Sequence, residues 1–266
     1  MRFYTYRAEL SADEHAAVRE CLERAVARFP TYATALAMLS IVYLDEDRFA
    51  FNPRPGSPTP MERALDAARR AVQIDSGNTR ALQALMTALF FNQQLVESLR
   101  IGERALALNP NDTELMGEFG TRVAMGGQWQ RGSKLLEETL ARNPGGSGYY
   151  RGVLGLAAYM QQDFEKAVVE IRQANLQKFP LFHVVAAIIY AERGMTDEAT
   201  REGDIFVKMS PTFLANIEAE LEKRNFQPED RARLVAGLRK AGLLAPANAA
   251  IAPLPATNVS DEQPRE

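Results

Sequence analysis

A chain of 266 residues that is 46% hydrophobic and 24% charged has the material for one large core or a string of small ones. Its formal net charge of −3 argues against the clustered basic surface that nucleic-acid binding demands. One cysteine, Cys21, and two histidines, His15 and His183, leave no internal disulfide and too few ligands for a closed zinc site.

After a short segment at 2–10, the first helical pattern spans 12–28 and ends at Phe29-Pro30. A further pattern runs through Tyr43 and gives way to an insertion at 45–60. That insertion carries Pro53, Pro55, Pro58 and Pro60 and so is not helical throughout. The insertion reads first as a plain surface loop; Phe49 and Phe51, in so polar a stretch, argue that it packs onto the helices, where it is placed to line or cover a groove.

The phrase Arg70-Ala71-Val72-Gln73-Ile74-Asp75 returns as Arg104-Ala105-Leu106-Ala107-Leu108-Asn109. Helical patterns then come in pairs: 81–91 with 96–108, 113–125 with 129–142, 149–160 with 164–177, and 181–193 with 196–208. Asn109-Pro110 and Asn143-Pro144 are 34 residues apart, and Phe179-Pro180 and Ser210-Pro211 extend the series at 36 and 31. Proline ends one helix and precedes the next, and Gly194 stands where a left-handed residue is needed. The period weakens after Pro211, where 213–224 and 230–243 read as two helices expected to cap the C-terminal end.

Two antiparallel helices per period predict an all-α solenoid. The residues at matching positions resemble those of tetratricopeptide repeats. Leu36, Leu39, Ser40 and Tyr43 fill the large–x–x–large–small–x–x–aromatic slots of a first helix, as do Leu82, Leu85, Met86 and Leu89, and Met116, Phe119, Gly120 and Val123. Val18, Leu22 and Ala25, then Ala64, Ala68 and Ala71, fill those of a second helix. Gly102, Gly132 and Thr139 depart from the pattern. The resemblance implies an α-α superhelix of about five hairpins: an incomplete repeat at 1–30, a solenoid at 31–211, capping helices at 212–243 and a disordered tail at 244–266. More narrowly, Asn52-Pro53-Arg54-Pro55, 126–132 and 237–243 resemble the C-terminal module of bacterial adenylate cyclases and winged-helix transcriptional regulators, which senses or docks while another domain gives the output.

Catalytic chemistry has little to stand on. His15 and Cys21 share one helix, and His183 lies several units away, so neither a triad nor a metal cluster is expected. His15 reads as a solvated residue and His183 as a partly packed one. Gly145-Gly146-Ser147-Gly148 lacks the Gly-Lys-Ser/Thr ending of a phosphate loop and reads as a turn. No enzyme activity and no cofactor are expected.

In the family that this chain resembles, the first helix of each pair lines the concave face. Carried over residue by residue, that implies Arg80, Gln83 and Thr87 in the second unit, Glu114 and Thr121 in the third, and Tyr149 and Arg151 in the fourth. Phe90 and Trp129 are expected to pack within the repeats. The implied partner is a peptide or helix of another protein, held by shape and hydrogen bonds, with no direct nucleic acid and no membrane. The short 2–10 segment of the incomplete first unit either caps its apolar edge imperfectly, leaves that edge to a second copy of the chain or a docked partner, or marks a remnant of a longer protein. No run approaches the ~18 apolar residues of a membrane span, and no secretory h-region opens the sequence, so a cytoplasmic location is expected.

Overall fold

The structure is a computed structural model that describes residues 2–9, 11–56, 58–145 and 148–245. Among these, every regular element is helical. A short α1 (Arg2–Glu9) and α2 (Ala12–Arg28) lead into five antiparallel hairpins. They are α3 (Ala33–Phe49) with α4 (Pro60–Ile74), α5 (Thr79–Phe91) with α6 (Leu95–Leu108), and α7 (Thr113–Met125) with α8 (Trp129–Arg142). α9 (Gly148–Met160) pairs with α10 (Phe164–Ala174), and α11 (Pro180–Glu192) with α12 (Thr196–Met209). A 3-10 turn (Leu214–Asn216), α13 (Ile217–Glu222) and α14 (Pro228–Lys240) follow. First helices contact first helices in chain order, from α3 to α5, α7, α9 and α11. The result is an α-α superhelix.

Local chemistry sets the boundaries. Ser11, Thr59, Asn78, Asp112 and Asp163 each accept a bond from an amide in the first helical turn, which satisfies a donor the helix cannot. Inside four of the hairpins the turn residue is left-handed: Gln93 at φ 61°, Gly127 at 94°, Gln162 at 64° and Gly194 at 71°. α10 stops at Ala174, short of the expected 177, because Asn175 turns left-handed.

The residues that break the repeat pattern sit where helices touch. A Cβ on Gly132 would lie 2.6 Å from the backbone nitrogen of Ala124, and one on Gly102 would lie 2.3 Å from the Phe119 ring. Small residues here let α8 and α6 close onto α7. Buried hydroxyls tie other pairs together. Ser40 donates to the Ala64 carbonyl at 2.8 Å, and Ser98 to that of Met86 at 2.7 Å.

The 45–60 insertion begins as helix, since α3 continues to Phe49 before Ala50 turns left-handed at φ 53°. Ion pairing holds this extension. Glu46, 2% exposed, accepts from Arg19 and Arg63 at 2.8 Å each and from the Arg54 amide at 3.0 Å. Burial pushes the Glu46 carboxyl up, but these donors outweigh it and hold it below the usual range.

His15, expected in solvent, is fully buried. Its Nε2 donates to the Val42 carbonyl at 2.9 Å, and its Nδ1 accepts from Asn52 at 3.2 Å, a pairing that suits the neutral ring. Burial is the main cause of a pKa below the ordinary 6.5. The unfolded chain therefore takes up this proton at a higher pH than the folded one. The stability due to neutral His15 is complete above about pH 6.5 and falls as the pH drops through the folded value. Denaturation midpoints should decline below that pH, and a His15→Gln variant should show a flatter profile.

The two ends of the chain turn inward. On α1, Phe3 and Tyr6 are buried, and Arg7 lies 3.5 Å from both Asp45 on α3 and Glu118 on α7. At the other end, α13 and α14 do more than close the last hairpin: they cross all five. Lys223 meets Asp47 at 2.7 Å, Gln93 donates to the Lys223 carbonyl at 3.1 Å, and Asn225 donates to that of Phe90 at 2.5 Å. Trp129, expected to pack within its own pair, instead stacks on Phe226 at 6.0 Å and donates to Asp230 at 2.9 Å. Arg233 donates to the Met160 carbonyl at 2.9 Å, and Lys240 meets Glu192 at 2.9 Å. The tail from 246 onward lies outside the described residues.

Candidate interaction cleft

Positions 114, 118 and 122 of α7 are four residues apart and so share its inner face. Glu114, Glu118 and Arg122 therefore point into the groove, where Tyr149 and Tyr150 at the start of α9 and Arg48 and Phe49 at the end of α3 join them. With Tyr4 and Arg7 of α1 and the 175–179 turn, they enclose a cleft of about 810 Å³. Phe49 and Phe179 meet edge to face at 6.2 Å, and Tyr149 meets Phe179 at 6.1 Å. The first and fifth hairpins thus touch across the groove. Beyond this aromatic wall, the strap of α13 and α14 covers an apolar chamber of about 110 Å³ lined by Phe91, Val153, Leu156 and Ile188 among others.

A charge cluster lies under the cleft. Asp45, without exposed surface, accepts from Tyr6 at 2.9 Å and pairs with Arg48 at 3.2 Å and Arg7 at 3.5 Å. Glu118 pairs with Arg122 at 3.0 Å. The Arg122 guanidinium lies 5.2 Å from the centroids of Phe90 and Phe91, and that of Arg48 lies 4.4 Å from Phe91. Burial, then the carboxylates of Glu118 and Glu114, drives the Tyr150 hydroxyl far above its ordinary range. It stays protonated and donates to the Glu114 carbonyl at 3.2 Å.

The residues expected to line the groove divide into three groups. Arg80 donates to Gln83 at 2.6 Å and to Glu114 at 2.8 Å. Gln83 and Thr87 are buried, and with Arg80 they line a narrow gap beneath Phe3 and Arg7 of α1. Glu114 and Tyr149 lie in the open cleft. Thr121 is fully buried and donates to the Gly117 carbonyl at 2.9 Å. Arg151 pairs with Glu170 on α10 at 3.0 Å and is not among the cleft residues. Sequence reasoning missed Arg7, Arg48, Glu118, Arg122 and Lys178. The helical period counted on from Glu114 gives Glu118 and Arg122, whereas nothing local signals that α1 folds inward.

His183 is also fully buried, with Nδ1 2.6 Å from Glu202 and Nε2 3.1 Å from the Gln177 carbonyl. Cys21 is exposed on α2. Among the described residues, no group of His, Cys, Asp and Glu is placed to hold a metal ion, and no helix is long and apolar enough to cross a membrane.

The fold is that of tetratricopeptide-repeat proteins. The structure is similar to TTC0263, a thermophilic TPR protein of Thermus thermophilus, at TM-score 0.51 and 19% identity over 68% of this chain and 91% of that one. It is similar to a chain of the APC/C hetero-tetramer Cut9–Hcn1 at TM-score 0.64 and 13% identity, covering 91% of this chain and 46% of that one. It also matches the human IFIT1 dimer with m7Gppp-AAAA at TM-score 0.63 and 19% identity, covering 86% and 55%. The chain thus spans about half the length of these last two proteins. No family model and no curated protein matches the sequence.

Proposed function

We propose that this chain is a binding module that holds a peptide or helix of a partner protein on its concave face, and that it has no catalytic role of its own. The observation that supports this is the cleft of about 810 Å³ left open between α1, the inner face of α7, the aromatic wall and the 175–179 turn. Its size falls within the roughly 300–1,000 Å³ typical of ligand pockets, and its walls mix tyrosine with charged and amide side chains. In this reading Glu114 and Tyr149 contact the partner. Arg80, Gln83 and Thr87 hold the cleft floor and α1 in place, and Thr121 and Arg151 serve packing. A partner carrying the output domain of a bacterial regulator would dock in the same cleft, and a second copy of the chain would dock at the N-terminal edge. We assign the protein to the cytoplasm.

Site-specific photo-crosslinking tests this. A crosslinker replacing Lys178 at the cleft rim should capture a partner that one replacing the exposed Arg100 on α6 does not. Equal capture from both positions would remove the cleft from consideration.

A further inference from the structure

We propose that the cleft recognises an acidic peptide segment and seats one of its carboxylates on the guanidiniums of Arg122 and Arg48, with Lys178 at the rim. The proposal rests on the cleft being the partner site, and it adds the chemistry of the partner. The chain is formally −3 overall, yet Arg7, Arg48, Arg122 and Lys178 line the cleft, with buried Asp45 beneath it paired to Arg7 and Arg48, against Glu114 and Glu118. The two glutamates are already engaged, Glu118 by Arg122 and Arg7, and Glu114 by Arg80.

Arg122 carries the argument furthest. Its side chain is 2% exposed, and its Nε and Nη1 have no hydrogen-bond partner among the described residues. A buried donor without a partner is destabilising, more so when charged, and the aromatic rings beside this one return only part of that. Arg48 lies at the same Phe91 ring. Burial, with Arg122 and Arg7 nearby, outweighs Asp45 and holds the Arg48 guanidinium below its ordinary pKa. Two guanidiniums at one ring, one of them with two donors unused, favour an oxyanion over a neutral group. The volume of about 810 Å³ far exceeds a lone carboxylate or phosphate. Asn143 and Asn175 on the walls can bond the backbone of an extended peptide, which favours a segment over a free ion.

Short fluorescent peptides of alternating Ser and Glu, with Ser–Gln and Ser–Lys counterparts, test the proposal by anisotropy on the full chain. The Glu peptide should bind at least roughly tenfold more tightly than the Gln peptide and weaken as salt rises. Lys178→Glu, a surface change, should reduce its affinity several-fold with an unchanged circular-dichroism spectrum, and Arg122→Gln should reduce it more. Equal binding of the Glu and Gln peptides, with crosslinks still mapping to position 178, would sink the acidic preference and leave the cleft standing. Binding that neither substitution alters would place the site elsewhere. No binding of any peptide, or displacement of the Glu peptide by inorganic phosphate at equal concentration, would overturn the proposal.

Discussion

Replacing Asp45 by Ala should destabilise the protein by about 3–5 kcal/mol, the loss typical of removing one partner from a buried ion pair. Asp45 has no exposed surface and is the acceptor shared by Tyr6, Arg7 and Arg48. Without it, Arg48 keeps no carboxylate within 4 Å among the described residues, and Arg7 keeps only Glu118 at 3.5 Å. The Tyr6 hydroxyl loses its acceptor as well. Asp45→Asn keeps an oxygen for Tyr6 but not the charge, and should fall between Ala and the parent. Urea denaturation measures both. The variant should also expose α1, so trypsin should cut after Arg7 in Asp45→Ala before the hairpins unfold. A midpoint within experimental error of the parent's would show that the cluster does not hold α1 in place.

Trp129→Ala should release the strap. Burying so large a ring is worth about 3–5 kcal/mol when it is truncated to Ala. Here the ring stacks on Phe226 and anchors Asp230, so the loss falls on contacts between the solenoid and α14. Hairpins stabilise one another chiefly through nearest neighbours, and local opening of the strap precedes global unfolding. Rapid tryptic cleavage at Lys223, Arg224, Arg231 and Arg233 with the helices of 79–209 intact is the expected result. Cleavage spread evenly along the chain would mean that Trp129 supports the solenoid instead.

The difference in legibility between solenoid and cleft has a physical cause. The hairpins were readable because each repeat places Leu, Ala and Pro at fixed offsets, and neighbouring helices impose those offsets locally. Gly102 and Gly132 depart from the repeat pattern because Phe119 and Ala124 approach too closely for a side chain there. The inward fold of α1 and the path of the strap depend on pairs far apart in sequence, such as Arg7 with Glu118 and Gln93 with Lys223. No helical period records such pairs. For Arg48 the reason is different: the prolines at 53–60 predict a loop, whereas buried Asp45 and Glu46 draw α3 onward to Phe49. The repeat position of Arg151 implies a place in the groove, whereas its pairing with Glu170 on α10 is set by how the two helices pack.

Amide hydrogen exchange on the intact chain is the direct test of whether the groove is partly filled by the chain's own ends. Residues 217–240 and 2–9 should be protected to a degree comparable with the inner helices they cover, α5, α7 and α11. Exchange in those two segments at the rate of an unstructured peptide, with the hairpins still protected, would contradict the filled groove and the bounded cleft that it leaves.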